Sequence, residues 1–439
     1  SVTTSDTQPA FAIQGRDNNL TNEGTITTTG DETTGVFFVG PRNNVTNEGL
    51  IDTNGADSSA IALQVPVPTD GSIGFVVNDG TIRTRGPDSD TLRIEGNNAD
   101  LKNTGLIEAL GEGSDAIALT GDRADILNEG TIRTLADDSD AIAIANEDLD
   151  GFEEIPAEGA TIINNGTIET RGNLSAALNL FAHDVFVQNA GTIETEGQVS
   201  PAIGLVGNDG TLENLGTIET AGGLGLGMGA IFQGNTLTNN GTITTAGTEA
   251  FGMAAFGAGQ TVFNDQLGEI HTRGTGAHGI EFGDADPIVL VELIGLALPD
   301  DLRISRGNIT NLGDVTTEGS GAHGVNLFAV DTTLDNRGII EARGFNAHGV
   351  FVDGGSGGAP IDIGNDTIFG GSNISIFNSG VIRANEEMGG VSLFVNTSGV
   401  AIENSTGGVI EDGILLDGST RIFNSGTITS GIGTAFNEG

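Results

Sequence analysis

Apolar and polar residues alternate along this chain in short runs, and no run contains an apolar stripe at helical spacing. Alternation with a period of two predicts short β-strands, and the Gly and Asn residues between the runs predict turns. One unit recurs: an apolar residue, any residue and Asn, followed by Gly and then Ile or Val. Its asparagines are Asn22, Asn47, Asn78, Asn103, Asn128, Asn164, Asn189, Asn214, Asn239, Asn264, Asn311, Asn336, Asn378, Asn404 and Asn424.

The commonest distance between successive asparagines of this unit is 25 residues. A fixed period of this size is typical of a solenoid, in which each repeat forms one coil. Apolar residues lie two positions before each Asn and, in most repeats, four positions after it, and a third apolar run follows, as in Ala116–Leu119. We therefore expect three strands per coil and an all-β parallel β-helix of about 15 coils, a single domain over residues 1–439.

Three other repeat folds fit this pattern less well. A leucine-rich repeat needs a Leu framework and a helical half, both of which are missing here. A hexapeptide helix needs a period divisible by six, and an antiparallel sandwich would not keep one register from repeat to repeat. The parallel β-helix predicts that the Asn column forms an internal amide ladder beside stacked Ile and Val columns.

The composition excludes several classes of function. The 439 residues include 60 Asp and Glu against 16 Lys and Arg, which gives a formal net charge of −44. A nucleic-acid partner is excluded, because binding to phosphates needs clustered basic residues. There is no Cys, so disulfides and thiolate–metal sites are absent. No apolar run reaches the ~18 residues of a membrane-spanning helix, so no transmembrane segment is expected.

The units NEGTITTTG at 22–30 and NNGTITTAG at 239–247 resemble the repeats in the passenger domains of autotransporter proteins of Gram-negative bacteria. The resemblance covers nearly the whole chain. It implies that the β-helix is right-handed, that the protein is secreted without disulfides, and that it is displayed on the bacterial surface or released from it.

Four insertions interrupt the period, near 64–74, 145–159, 284–306 and 353–373, and residues 1–9 could form an N-terminal cap. The largest insertion contains an apolar run bounded by two prolines. Such a run could dock a partner chain or lipid, or it could lie back on the flank of the solenoid and cover core. The predicted partner-binding residues are Pro287, Val289, Leu290, Leu293, Leu296 and Leu298.

Two groups of acidic residues are candidate Ca²⁺ ligands, since hard cations prefer oxygen ligands. Asp90, Asp115 and Asp140 each lie twelve residues after their Asn, so they should stack at one corner of three successive coils. Three stacked carboxylates repel one another unless a cation, a proton or water intervenes. Residues 364–371 form a single unit that resembles the repeat-in-toxin calcium motif, and Asp362, Asn365 and Asp366 lie just before it or within it. Solvated side chains at the corner, and a plain Gly/Asp turn in the insertion, are the alternative readings.

Two further columns contain ionisable groups. His278, His323 and His348 each stand in an Ala-His-Gly triplet. A histidine stack could bind Zn²⁺ or sense pH, but ligands in a straight column do not converge, and a packed corner is the plainer reading. Arg83, Glu108 and Arg133 alternate in charge at one outward position, which predicts surface ion pairs of little individual value.

These observations favour a non-enzymatic, extracellular β-solenoid with a structural or adhesive role, whose receptor or glycan the sequence does not identify. Two alternatives stay open. One is a subunit of a head-to-tail filament or matrix fibre, in which the partner is the chain itself and Ca²⁺ could promote association. The other is a polysaccharide-processing β-helix enzyme, which the shortage of basic residues makes remote. No cofactor is required by any motif that we find.

Overall fold

The computed structural model describes residues 1–4, 8–65, 72–147, 154–155, 157–283, 306–353, 361–363, 366–368 and 373–434. The chain divides into two compact units. Unit 1 comprises residues 1–210 and 216–219, and unit 2 comprises residues 211–215 and 220–439. Each unit is a right-handed parallel β-helix with three strands per coil, which belong to three parallel sheets. The repeat predicts the parallel β-helix, and the resemblance to passenger domains implies its hand. We name these the Asn sheet, the Thr sheet and the apolar sheet, in chain order.

In unit 1, each coil contributes one short strand to each sheet. The strands of the Asn sheet are β3 (Asn19–Asn22), β6 (Asn44–Asn47), β9 (Gly74–Asn78), β12 (Ala99–Asn103), β15 (Asp125–Asn128), β20 (Thr161–Asn164) and β23 (Phe186–Asn189). The strands of the Thr sheet are β1 (Val2–Thr4), β4 (Thr25–Thr28), β7 (Leu50–Thr53), β10 (Thr81–Thr84), β13 (Leu106–Ala109), β16 (Thr131–Thr134), β21 (Thr167–Thr170), β24 (Thr192–Thr195) and β27 (Thr217–Thr220). The strands of the apolar sheet are β2 (Phe11–Gln14), β5 (Val36–Val39), β8 (Ile61–Gln64), β11 (Leu92–Glu95), β14 (Ile117–Thr120), β17 (Ile142–Glu147), β22 (Leu178–His183) and β25 (Ile203–Val206).

Unit 2 repeats this arrangement. The strands of its Asn sheet are β26 (Thr211–Asn214), β29 (Thr236–Asn239), β32 (Ala258–Asn264), β35 (Arg306–Asn311), β38 (Thr333–Asn336), β43 (Ile374–Asn378), β46 (Val400–Asn404) and β49 (Thr420–Asn424). The strands of its Thr sheet are β30 (Thr242–Thr245), β33 (Glu269–Thr272), β36 (Asp314–Thr317), β39 (Ile339–Ala342), β44 (Val381–Ala384), β47 (Val409–Ile410) and β50 (Thr427–Ile428). The strands of its apolar sheet are β28 (Met228–Ile231), β31 (Met253–Phe256), β34 (Ile280–Gly283), β37 (Val325–Phe328), β40 (Val350–Asp353), β45 (Leu393–Asn396), β48 (Ile414–Leu416) and β51 (Ile432–Thr434).

Four other strands belong to the insertions. In unit 1, β18 (Glu154–Ile155) pairs antiparallel with the end of β17, and β19 (Ala157–Glu158) pairs parallel with β22. In unit 2, β41 (Ile361–Ile363) and β42 (Asp366–Ile368) form an antiparallel pair. A single 3₁₀ turn, Glu386–Met388, is the helical element of the described coils in unit 2. No helix within the described ranges is long and apolar enough to cross a membrane.

The insertions leave the register of the coils unchanged. Asn128 pairs with Asn164 across 36 residues, and Asn264 pairs with Asn311 across 47 residues. The strands on either side of each insertion therefore stack as closely as those that are 25 residues apart. Loop closure adds only a slowly growing entropic cost, so extra residues at a corner disturb the stack little.

The predicted amide ladder is confirmed. In unit 1, the Nδ2 atom of each ladder Asn donates to the Oδ1 atom of the next, at 2.7–2.8 Å from Asn22 to Asn189. In unit 2 the same bonds, at 2.8–2.9 Å, join Asn214 to Asn424. Each ladder Asn thus satisfies its buried amide with an identical residue, as a buried polar group must.

Alternating side chains fill the inside of each coil. In unit 1, the Ile column of the Thr sheet, from Ile26 to Ile193, is 0–3% exposed. Buried threonines close the end of these strands: the Oγ1 atom of Thr53 donates to the carbonyl of Ser58 at 2.9 Å, and that of Thr134 to the carbonyl of Ser139 at 2.7 Å. The interior is therefore an apolar core edged by hydrogen-bonded Asn and Thr columns, which agrees with the stacked columns that the repeat predicts.

The amide ladder predicts that a charge at a ladder Asn destabilises the coil, whereas the same change at the next residue does not. Asn164→Asp removes the donor to Asn189 and adds a charge to a buried column, because Asn164 is 1% exposed. We expect unfolding of unit 1 to become easier by at least about 3 kcal/mol. Asn165→Asp changes the exposed neighbour in the same way and should have little effect. Urea unfolding followed by far-ultraviolet circular dichroism measures both, and equal midpoints for the two variants would contradict a structural ladder.

Candidate functional site

Both units place ionisable side chains at the same corner of the coil, two residues before a strand of the apolar sheet. In unit 1 these residues are Asp90, Asp115 and Asp140, which precede β11, β14 and β17. In unit 2 they are His278, His323 and His348, which precede β34, β37 and β40. We call these two sets the Asp column and the His column.

The Asp column stacks as predicted, and backbone donors occupy it. Oδ1 of Asp90 accepts the N–H of Asp115 at 3.1 Å, and Oδ1 of Asp115 accepts that of Asp140 at 2.7 Å. Oδ1 of Asp140 accepts the N–H of Ala176 at 2.6 Å, and its Oδ2 accepts the amide of Asn179 at 2.7 Å. Each carboxylate therefore fastens its own coil to the next one.

Stacking shifts the pKa values of these carboxyl groups upward. Burial raises the pKa of Asp90, and burial together with the charges of Asp140 and Asp90 raises that of Asp115 well above its usual value. Burial raises the pKa of Asp140 to about 6, against the opposing hydrogen bonds from Asn179 and Ala176. Desolvation is thus the main cause at all three carboxyl groups, and repulsion from stacked carboxylates adds to it at Asp115.

No group of three or more His, Asp and Glu side chains is placed to hold a metal ion in the part of the chain that the structure describes. At the Asp column, the backbone hydrogen bonds already use one oxygen of each carboxylate. Ca²⁺ binding there stays a prediction. In the fourth insertion, Asp362 lies on β41 and Asp366 on β42, while Asn365 lies outside the described residues.

The His column is a stack of parallel rings. The ring centroids of His278 and His323 are 4.8 Å apart, and those of His323 and His348 are 5.0 Å apart, with interplanar angles of 5° and 8°. Phe251 stacks below His278 at 5.4 Å, and Phe394 stacks on His348 at 5.0 Å. Parallel rings in a column do not direct their nitrogens at one point, so the arrangement does not resemble a zinc site.

Each ring of the His column also fastens one coil to the next. The backbone N–H of His323 donates to Nδ1 of His278 at 2.8 Å, and that of His348 donates to Nδ1 of His323 at 3.0 Å. The N–H of Val391 donates to Nδ1 of His348 at 3.1 Å. An accepting Nδ1 requires the neutral ring with its proton on Nε2. Burial favours the same neutral form, since it lowers the pKa of His278 to about 3 and that of His348 to about 4.

The three residues of alternating charge, Arg83, Glu108 and Arg133, differ from the sequence-based prediction in one respect. Glu108 lies between Arg83 and Arg133 on neighbouring strands of the Thr sheet and forms ion pairs with both. Its side chain, however, is only 2% exposed, whereas the sequence predicts a surface pair. Both arginines cover the carboxylate and leave it paired on each side. Loss of one partner would therefore leave a buried charge, which costs more than the loss of a surface ion pair.

The predicted partner-binding run, from Pro287 to Leu298, lies outside the described residues. The strands before it show an unusual pattern of burial. All four residues are buried in β28, β31 and β34, including the outward-facing Ile231, Phe256 and Glu281 at 2–3% exposure. The outer face of the apolar sheet is therefore closed to solvent at these three strands.

Comparison with known proteins adds little to this geometry. No protein-family model matches the chain, and no curated protein matches it. Among solved structures, it is similar to a chain of the Vag8–C1 inhibitor complex, determined by cryo-electron microscopy, with 13% sequence identity and a TM-score of 0.49. The similarity covers 98% of this chain and 99% of that chain. The assignment of a parallel β-helix therefore depends on the strand pairing of this chain itself.

The Asp column predicts that unit 1 gains stability on mild acidification. Because the folded pKa of Asp140 is raised to about 6, the folded state binds more protons than the unfolded state between about pH 4 and 6. The stabilising proton is fully present below the unfolded pKa and is lost as pH rises through 6. Asp115→Asn keeps the acceptor for Asp140 and removes the charge, so we expect the variant to be more stable than the wild type at pH 7.5 and equally stable at pH 4.

The control for this variant is Glu112→Gln, which removes one charge at an exposed turn position of the same coil. Thermal unfolding of unit 1 at the two pH values, followed by hydrogen exchange with mass spectrometry, measures the difference. A gain of equal size for both variants would mean that net charge alone, and not the stacked carboxylates, sets the pH dependence.

The His column predicts the opposite response in unit 2. Its folded pKa values lie below that of a free histidine, so the unfolded state binds more protons between about pH 4 and 6.5. Stability is complete above pH 6.5 and falls as the pH decreases, by about 3 kcal/mol for His348 below pH 4. His323→Asn keeps an acceptor for the N–H of His348 and removes one titrating ring, so unit 2 should tolerate acid better.

The matched control is His183→Asn in unit 1, because Nδ1 of His183 likewise accepts the N–H of Asn208 at 2.9 Å. It should leave the acid response of unit 2 unchanged. Hydrogen exchange of peptides from unit 2, measured from pH 7 to pH 4, distinguishes the variants. Identical acid profiles for the wild type and His323→Asn would exclude this origin.

Proposed function

We propose that this protein is a non-enzymatic, extracellular β-solenoid with a structural or adhesive role, displayed on a bacterial surface or released from it. One observation supports it most directly: the groups with the most shifted pKa values have structural partners. Shifted pKa values are often a sign of catalysis. Here Oδ1 of Asp115 and Nδ1 of His323 accept backbone N–H groups from the next coil, so neither atom is free to take a proton from a substrate.

The outer surface supports the same proposal. The repeat units resemble those of secreted passenger domains, and the net charge of −44 would repel the acidic polysaccharides that many β-helix enzymes cleave. A stack of coils with independent corners also tolerates insertions without loss of register, which suits a scaffold that presents loops to a receptor or glycan.

The test uses latex beads coated with the full chain and layers of epithelial cells or bacteria. We expect the coated beads to adhere, and Asp115→Asn and His323→Asn to adhere as well as the wild type, because both residues act within the fold. Beads coated with the heat-unfolded chain are the control. The same preparations, incubated with neutral and acidic polysaccharides, should release no reducing ends.

Two results would overturn this proposal. Cleavage of a polysaccharide that is lost in Asp115→Asn would indicate an enzyme whose acid is in the Asp column. Absence of adhesion, together with long polymers in sedimentation and electron microscopy, would favour the alternative of a head-to-tail filament subunit, with or without millimolar Ca²⁺.

A further inference from the structure

A groove crosses the outer face of the Asn sheet in unit 1. The groove is wide open to solvent and has a volume of about 640 Å³. Its floor is a row of outward side chains, one from each of five successive coils, because the strands pair in register. Neighbouring members of the row are therefore separated by the strand spacing of about 4.8 Å. In order, the row is Asn19, Asn44, Phe75, Asp100 and Asp125.

Phe75 lies in the middle of this row and is 38% exposed. A single exposed aromatic residue is common on a protein surface and by itself indicates nothing. Phe75 differs from a scattered surface residue in two ways. Its neighbours on the row have planar polar side chains, and a hydrogen bond to the neighbouring coil holds its backbone. Its backbone N–H donates to Oδ1 of Asn44 at 3.1 Å. An apolar ring thus lies between hydrogen-bonding groups, on a backbone that is hydrogen-bonded to the neighbouring coil.

The polar groups are arranged before any ligand binds. One side of the groove contains Arg42, whose Nε and Nη2 atoms donate to the two carboxylate oxygens of Asp17 at 2.6 and 2.9 Å. Nδ2 of Asn44 donates to Oδ1 of Asn19 at 2.7 Å, which orients the Asn19 amide. An arginine has five N–H donors and an amide has two, so donors remain at this end. Asp100 and Asp125 supply acceptors at the other end.

A neutral polyol is the ligand class that uses all three features. Sugar hydroxyl groups both donate and accept, and the C–H face of a pyranose ring packs on an aromatic ring. A polyanion would meet Asp100 and Asp125 and the overall negative charge. A metal cation would use the carboxylates but neither Phe75 nor the amides. An extended peptide would find side chains only, since the strand backbones already pair with neighbouring coils.

We propose that this groove binds a neutral, extended oligosaccharide that runs along the stack of coils. One sugar ring packs on Phe75. The sugar rings on one side of it form hydrogen bonds with Asn19 and Arg42, and those on the other side with Asp100 and Asp125. The proposal rests on the proposed adhesive function, to which it adds the chemical class of the receptor. Binding of a free sugar and adhesion of beads to cells are separate measurements, so one can fail without the other.

The experiment measures binding of the full chain to the neutral hexaoses of β-1,4-glucose, β-1,4-mannose and β-1,4-N-acetylglucosamine by saturation-transfer nuclear magnetic resonance and calorimetry. The hexamer of α-1,4-galacturonate is the anionic comparison. We expect at least one neutral hexaose to bind and the anionic one not to bind. Phe75→Ala should weaken binding by about tenfold, because it removes the stacking surface without altering the core.

Phe186→Ala is the matched control. Phe186 occupies the same outward position at the start of β23, two coils beyond Asp125 and outside the groove. Its replacement should leave the affinity unchanged, and Asp100→Asn, which keeps one acceptor, should weaken binding only a few-fold. The proposal is wrong if none of the neutral hexaoses binds, if galacturonate binds best, or if the two Phe variants lose affinity equally.

Discussion

In-register stacking of identical side chains is the constraint on which the rest of this structure depends. Parallel pairing places each residue about 4.8 Å from its copy in the next coil, so every position of the repeat must tolerate itself as a neighbour. Asn does so better than most polar residues, because its amide donates on one side and accepts on the other. In unit 1, every member of the ladder from Asn47 to Asn164 uses both groups within one column. Because side chains alternate between the two faces of a strand, a coil shifted by one residue would turn its Asn outward and lose the partner.

The same constraint explains why few ionisable side chains are buried in the part of the chain that the structure describes. Like charges in a column repel, and the two units relieve this in different ways. Asp115 has a raised pKa and accepts an N–H from the next coil. His323 stays neutral and stacks its ring. In the Thr sheet, Glu108 avoids a column of its own kind by lying between two arginines. The neutral histidines and the paired Glu108 thus have no ionised copy of themselves as a neighbour, whereas the Asp column reaches that state only when it binds protons.

Much of the fold could be predicted because the period and the Asn position are visible in a single sequence. The ladder, the Ile columns and the stacking of Asp90, Asp115 and Asp140 all follow from counting residues. The hydrogen bonds from corner side chains to the next coil could not be predicted, because they depend on the angle at which the chain turns into β11, β14 and β17. The burial of Glu108 depends on how two arginine side chains fold over it. The groove around Phe75 could not be predicted either, because its lining residues come from five coils on both sides of an insertion.

In both columns, a side-chain atom at the corner of one coil accepts a backbone N–H from the next coil. This arrangement changes how shifted pKa values are interpreted in stacked folds. In an enzyme, burial and like charges that raise a carboxyl pKa usually indicate a group prepared for proton transfer. In the Asp column, the same physical causes follow from the geometry of stacking, and the carboxylate oxygen has a backbone donor. A catalytic acid needs a lone pair or a proton that faces a substrate. In a β-solenoid, the first question about a shifted group is therefore whether its acceptor atom faces solvent or the coil above it. At Asp115 and His323 it faces the coil, which assigns the shift to the fold.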